Sequence, residues 1–297
     1  MKVTVVGSEG FIANSFRKHC QINEIEAVGI DSIPSEDPNH VIMDLRSPDI
    51  ESAIPEGTDA LVHLAAISRD QDCRKNPHLA FDVNVMGTLN LIRAAAKRGV
   101  KQFIFASSEW VYGEVANGSV QKEDQAIDVT KIKSEYALTK IVAEQNLKIA
   151  YEQGSCPVTI LRFGIVYGPR PSNWSAVESL FNSVATQDMI KVGSRSTARR
   201  FVHVDDIAAA IGCAIGQTGF EIFNVSSDKL VTLGDVIEES GNLLDKHPNV
   251  VESNPQDASI RNPDNKKARQ ILGWSPAIDL PAGLKTLSDA LLAQHGS

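Results

Sequence analysis

No run of about 18 or more apolar residues occurs in this chain, so no membrane span is expected. Cysteine is scarce and scattered: Cys20, Cys73, Cys156 and Cys213 form no CxxC and no cluster with histidine. That pattern argues against structural zinc, any other metal centre or a disulfide framework, and it fits a reducing cytoplasm. Positive charge is in deficit, 29 Lys and Arg against 37 Asp and Glu for a net charge of −8, which makes general nucleic-acid binding a poor fit. The opening MKVTVVGSEGF is too short and too glycine-interrupted to be a signal-peptide core. Internal repeats and low-complexity segments are missing as well. What remains is a chain of 297 residues, 42% hydrophobic, ample for one large domain or for a domain with a smaller annex.

Apolar strand-like runs alternate with helical patterns along the first half. VTVV precedes a helical stretch near 10–20, AVGI ends at Asp31 and VIM ends at Asp44. ALVHLAA precedes a helical segment around 77–98, QFIFAS another around 131–153, and VTILRFGIV follows. Strands alternating with helices imply right-handed crossovers and a parallel sheet covered on both faces, the α/β doubly wound, Rossmann-type class. After Gly168 the texture turns mixed. RRFVHV, DDIAAAIGCAI and FEIFNVS read as strand, helix and strand that can rejoin the main sheet. The expected division is 1–168 plus about 201–225 for the sheet domain, and about 169–200 plus 226–297 for a smaller C-terminal lobe that binds substrate. A small-molecule site is expected in the cleft between them.

VVGSEGFIA sets Gly7 and Gly10 directly after the first strand, with Ala13 in the third small position. Gly7 permits a tight turn, Gly10 lets the backbone approach a pyrophosphate, and the following helix N-terminus offers free N–H groups. Asp31 ends the second strand, 24 residues after Gly7. A carboxylate there accepts hydrogen bonds from both ribose hydroxyls and repels a 2′-phosphate. No Arg or Lys lies between Asp31 and Arg46, which favours NAD over NADP.

Tyr136 and Lys140 in SEYALTKIVAEQ share one helical face. A free tyrosine, with a pKa of about 10, is a poor base at neutral pH, and a neighbouring ammonium together with a nicotinamide cation is expected to lower that value. Ser107 and Ser108 in FIFASSEWVYG stand at the carboxyl end of a core strand, the edge that faces the ligand crevice in this class. A serine hydroxyl there can orient a substrate oxygen toward Tyr136.

With these residues in place, the chain closely resembles the extended short-chain dehydrogenase/reductase family, in its sugar epimerase/dehydratase branch. The resemblance runs nearly end to end through GSEGFIA, DL at 44–45, HLAA, NVMGTLNLIRAA, SSEWVYG, YALTK, LRFGIVYGPR, RRFVHVDD, FNVSS and DNKKARQILGWSP. It implies that Gly7, Gly10, Phe11 and Ile12 bind the pyrophosphate, Asp31 the adenosine ribose, and Asp44 with Leu45 the adenine. Leu64, Ala65 and Ala66 would line the cofactor's path, and Asn84 would support the cofactor from the long helix. Ser108, Tyr136 and Lys140 match the family's catalytic Ser/Thr, Tyr and Lys. Arg199 and Arg261 match arginines that hold a nucleotide diphosphate. The resemblance also implies a homodimer pairing the helices 77–98 and 131–153.

Sugar dehydratases of this family carry Asp-Glu after their catalytic Thr; this chain has Glu109 and Trp110. Two readings of Glu109 stand, an acid–base group in the pocket or a carboxylate outside it, while Trp110 reads as a pocket wall or core residue. Arg170 and Arg195 read either as phosphate ligands or as a solvated basic face. His203 reads as a structural histidine, and Asp205 as the cap of the helix after it. Many relatives have Asn before VYGPR, where it touches the substrate phosphate; here Ile165 stands, with Asn173 as a possible replacement. The expected activity is an NAD-dependent epimerase acting on a sugar, nucleotide-linked, through a transient keto sugar. The alternatives are a dehydratase using Glu109, a simple sugar dehydrogenase, and an NAD(H)-binding protein without catalysis.

Overall fold

The computed structural model describes residues 1–113, 115, 118–171 and 175–295, the last two without their side chains. Seven strands form one sheet: β1 (Lys2–Val6), β2 (Glu26–Asp31), β3 (His40–Ile42), β4 (Ala60–His63), β5 (Phe103–Ser108), β6 (Val158–Phe163) and β7 (Phe220–Val225). Their order is β7-β6-β5-β4-β1-β2-β3, every pair parallel. Strands β4, β5 and β6 are buried along their whole length, which is why they are continuous apolar runs and not alternating ones. The order reverses at β1, between β2 and β4, so the crevice of this doubly wound Rossmann-type sheet opens above the glycine turn that follows β1.

Two apolar layers cover the sheet. On one face α1 (Phe11–Ile22) packs with the alanine-rich helix Val204–Ala214 over Val3, Val5, Ile104, Leu161 and Phe223. Ala268, Leu272 and Trp274 belong to this layer too, although they lie in the stretch expected for the smaller lobe. On the other face α2 (Thr88–Lys97) and α3 (Glu135–Glu152) cover Ile30, Leu61, Phe103, Phe105 and Ile160. A third core gathers Val177, Phe181, Phe201, Val236, Ile237 and Leu284 beyond the sheet.

The helical segment expected around 77–98 is helix at Pro77–Phe81, a π-helical stretch at Asp82–Gly87, and then α2. Gly87 leaves the space that the Leu45 side chain fills; a Cβ there would lie 1.8 Å from Leu45 Cδ1. Of the strand–helix–strand segment after Arg199, only β7 joins the main sheet. Val202–His203 pairs instead with Val166–Tyr167, and Ala198–Arg199 runs antiparallel to Val231–Thr232. These two-residue strands are too short to extend a buried sheet, and they hang the third core from its edge. Among the described residues no helix is long and apolar enough to cross a membrane.

Candidate active site

The glycine turn is built by close approach. Gly7 has φ +83°, and a Cβ there would stand 2.6 Å from the backbone nitrogen of Ala65. The N–H of Gly7 donates to Ile30 (2.8 Å), and those of Leu64 and Ala65 donate to Val6 (2.8 and 3.0 Å), which locks the turn between β2 and β4. Gly10 is the N-cap of α1 and supplies no side-chain cap, so the N–H groups at Phe11 and Ile12 are available to an anion. Asp31 ends β2 and accepts from the N–H of Glu9 (3.0 Å) and of Ile33 (3.1 Å), so its carboxylate is aimed at the glycine turn. Arg17 also reaches this corner from α1, a cation that a scan of 31–46 does not find; it is bound to Glu9 and Asp37. An open helix N-terminus, close glycine backbone and an anchored strand-end carboxylate fit NAD.

Farther along this edge, Asp44 is forked by Arg46, which holds its carboxyl below the usual carboxylate range. The Leu45 side chain is taken by the core, leaving only its backbone for an adenine. Leu64, Ala65 and Ala66 are half-buried beside the turn. Asn84 is 1% exposed and committed within the protein. Its amide donates to Ile67 O (3.0 Å) and Thr139 Oγ1 (3.0 Å), and its oxygen accepts from the Ile67 N–H (2.8 Å). It braces the loop after β4 against α3.

At the end of β5, alternation separates the two serines. Ser107 points toward α3, where its hydroxyl donates to Glu144 Oε1 (2.5 Å). Glu144 also receives Arg162 of β6 in a two-pronged ion pair, 3.1 and 2.7 Å. Arg162 in turn donates to Tyr112 Oη (3.1 Å), which donates to Asn224 of β7 (2.7 Å). Ser108, at the strand's last position, accepts the N–H of Trp110 (3.3 Å) and bonds the phenol of Tyr136 in the first turn of α3. Lys140 is 2% exposed, donates to the Ala106 carbonyl (2.7 Å), and sits 4.5 Å from the Phe105 ring centroid and 5.7 Å from that of Tyr136. Burial pulls its ammonium down to about 7 against the opposing pull of Glu144.

Burial dominates the phenol. Desolvation pushes the Tyr136 pKa above its ordinary value, and the bond to Ser108 offsets this only in part. Lys140 is aimed at a carbonyl, so the protein alone does not lower the phenol. Ser134 caps α3 by accepting from Ala137 (3.1 Å) and donates to Asp70 (2.6 Å), which also accepts the N–H of Tyr136 (3.3 Å). The first turn of the helix bearing Tyr136 is thereby pinned.

Beyond Ser108 the chain turns through the 3-10 segment Glu109–Tyr112, and this turn carries Glu109 inward. Glu109 is 1% exposed, and neither carboxylate oxygen has a hydrogen-bond partner. Oε1 lies 3.9 Å from Arg199 Nε. Burial raises its pKa to about 7, while Arg261 and Arg199 pull it down. Arg199 and Arg261 are brought side by side because residue 260 bridges Ala198, with the Arg261 N–H donating to Ala198 O (3.2 Å). Arg199 donates to the Ala198 and Ser259 carbonyls (2.7 and 2.6 Å), and the Arg261 guanidinium stacks 4.8 Å from the Trp110 ring centroid. Trp110 thus walls a cavity of about 130 Å³, together with Ala137, Ser134, Arg74, Lys131, Lys133 and Arg261.

Other expected residues sit elsewhere. Asn173 lies outside the described residues. Ile165 packs against the third core. Arg170 is a half-buried strut, paired with Glu178 (2.8 Å) and stacked 4.2 Å from the Phe11 ring, so it is not part of a solvated basic face. Arg195 lines a separate cavity with Glu238, Lys246 and His247. His203, bonded to Thr286 (3.1 Å), is the cap of the helix Val204–Ala214 by accepting from the Asp205 N–H. Asp205 is therefore not the cap; its carboxylate accepts from Ser15 of α1 (2.5 Å). Glu144, Arg162 and Thr139 were not anticipated from sequence. The signals were a second i,i+4 step after Lys140 and an arginine inside the apolar run VTILRF.

Residues 3–226 match the sequence model of the NAD dependent epimerase/dehydratase family. A putative UDP-glucose 4-epimerase of Methanocaldococcus jannaschii is 28% identical over 298 residues, covering 95% of this chain and 96% of that protein. A UDP-glucuronate 4-epimerase of Thermodesulfobacterium geofontis is 28% identical over 230 residues, 76% of this chain and 70% of that one. The solved UDP-glucose 4-epimerase of Thermus thermophilus in complex with NAD matches with a TM-score of 0.85 at 26% identity, over 98% of this chain and 99% of that chain. The chain therefore belongs to the NAD-dependent epimerase/dehydratase family, within the extended short-chain dehydrogenases/reductases, and is an NAD-dependent enzyme.

Proposed function

We propose that this enzyme is a UDP-sugar epimerase that inverts C4 through a transient 4-keto sugar. The observation that carries the reading is the placement of Ser108, Tyr136 and Lys140 at the β5 edge, next to the paired Arg199 and Arg261. UDP-sugar names among the relatives support the substrate class. Residues about 169–200 and 226–297, with Arg199 and Arg261, would hold the nucleotide diphosphate, and the sheet domain would hold the cofactor.

In this reading Ser108 bonds the C4 oxygen and directs it to the Tyr136 phenol. NAD, when bound, supplies the hydride acceptor and donor, and a positive ring charge that favours the phenolate. Tyr136 takes the hydroxyl proton as the carbon is oxidised and returns it on reduction of the opposite face. Lys140, 5.7 Å from the Tyr136 ring centroid, would be drawn to its charged form as the phenolate develops. The buried α3 face keeps these groups from exchanging with bulk water.

A dehydratase is the second reading, because Glu109 is buried and titrates near neutrality. Two features favour epimerisation: Trp110 occupies the place of a dehydratase's second acid, and Glu109 is turned to the arginines of the diphosphate anchor. The purified enzyme incubated with UDP-glucose, UDP-glucuronate and their N-acetylated counterparts is expected to give a product of unchanged mass and inverted C4, with no accumulation of NADH. A product lighter by one water, or by carbon dioxide, overturns the epimerase assignment.

A further inference from the structure

Glu109 is the only carboxylate among the described residues whose two oxygens are both buried and without a hydrogen-bond partner. Its separation from Arg199, 3.9 Å, is longer than a hydrogen bond, so the pair attracts through space without a fixed bond. A neutral side chain at this place would leave two guanidiniums facing each other. A small side chain would leave room for water. The chain instead keeps a desolvated carboxylate where its substrate's diphosphate is read to bind.

We propose that Glu109 is a proton-coupled counter-ion for the substrate anchor: as a carboxylate it balances Arg199 and Arg261 in the free enzyme, and when the diphosphate arrives it takes up a proton from solvent and donates a hydrogen bond to a phosphate oxygen. The inference rests on the UDP-sugar reading above.

Charge accounting supports it. Two guanidiniums neutralise the two negative charges of a nucleotide-sugar diphosphate, and a third negative charge buried beside them has no cation left to meet it. In the free enzyme the two arginines hold the Glu109 pKa down against burial, at about 7. Once the phosphates engage both arginines that pull is cancelled, desolvation remains, and the protonated form wins. Among the described residues, Arg261 and Arg199 are the charges that act on Glu109. Arg199 comes from the strand Ala198–Arg199, and Arg261 from the segment bridged to it. From α3, packed against the Glu109–Tyr112 turn, Tyr136 is an un-ionised phenol and Lys140 is turned to Ala106. On the turn itself the Tyr112 hydroxyl is committed to Asn224, and burial pushes its pKa up to about 12.

The sign follows from linkage. The bound state holds the proton more tightly than the free enzyme, so affinity is full below about 7 and falls as pH rises from there to the pKa of the complex. The test is calorimetric titration of NAD-loaded enzyme with UDP-glucose, whose diphosphate charge is constant across the range, at pH 6 to 9 in buffers of different ionisation enthalpy. The expected result is uptake approaching one proton per ligand near pH 8 and a dissociation constant that rises about tenfold per pH unit above about 7. Glu109→Gln is expected to bind with no uptake and a flat pH dependence. Lys140→Met is expected to retain the uptake, which separates Glu109 from the other group that titrates near 7. Binding with no proton uptake in the wild type overturns the inference alone, as does uptake that persists in Glu109→Gln. No binding of UDP-glucose at any pH overturns the UDP-sugar reading and this inference with it.

Discussion

Lys140 and Glu109 stand on either side of Ser108, exposed by 2% and 1%, and burial brings each of them to a pKa of about 7. Their surroundings are opposite. Lys140 donates to a carbonyl and rests on an aromatic ring, and one turn along its helix Glu144 is forked by Arg162 and bonded by Ser107. Glu109 has two guanidiniums within reach and no hydrogen bond. A buried charge whose bonds are complete fixes a geometry before any ligand arrives. One whose bonds are incomplete is tolerable only where burial can neutralise it or a ligand can complete it. The α3 corner is thus preorganised, and the arginine corner is adjustable.

The largest effect separating the corners is expected at Glu144. Glu144→Gln leaves the Arg162 guanidinium buried without its counter-ion, and urea unfolding should register a loss of ~3–5 kcal/mol. A loss under about 1 kcal/mol would mean that the network is not complete in the sense drawn above. Next comes Tyr136→Phe, which keeps the ring and removes the only proposed proton carrier. Turnover is expected to fall ~100-fold or more, with the folded structure unchanged by circular dichroism; near-normal turnover would remove the chemistry from this corner.

The smallest effect is on the stability of Glu109→Gln at low pH: the variant gives up no hydrogen bond and is expected to stay within about 1 kcal/mol of wild type below about pH 4.5, where Glu109 is protonated in both states. Because the folded Glu109 pKa is raised from 4.5 to about 7, its carboxyl contributes stability that is full below about 4.5 and lost progressively as pH rises to about 7. Wild type should therefore lose ground to Glu109→Gln across that window. A constant difference in unfolding free energy over it would show that Glu109 is compensated after all, and the contrast with Lys140 would collapse.

Much of the fold and half of the site were legible in local patterns. The glycine turn, Asp31 and the i,i+4 step from Tyr136 to Lys140 are short-range, and backbone periodicity settles their mutual placement. Alternation along β5 already divides Ser107 from Ser108, but it aims Glu109 wrongly, because the strand ends at Ser108 and a 3-10 turn begins. The protein's own groups leave the Tyr136 phenol raised: the helical step brings Lys140 near the ring, yet the Ala106 carbonyl claims its ammonium. His203 displaced Asp205 as a cap because which side chain reaches an N–H depends on how the preceding strand enters the helix.

The sequence by itself determined the class of sheet, the place of its crevice and the shared helical face of Tyr136 and Lys140, since these follow from periods of two and 3.6 residues and from glycines at a strand end. Only the tertiary structure decided that Arg199 and Arg261 flank Glu109, that Arg162 meets Glu144, and that Asn84 braces the loop after β4. Charge behaviour belongs wholly to that second group. A side chain's pKa is set by how much water it loses and which charges stand within a few ångströms, and neither quantity exists until residues remote in sequence have been packed together.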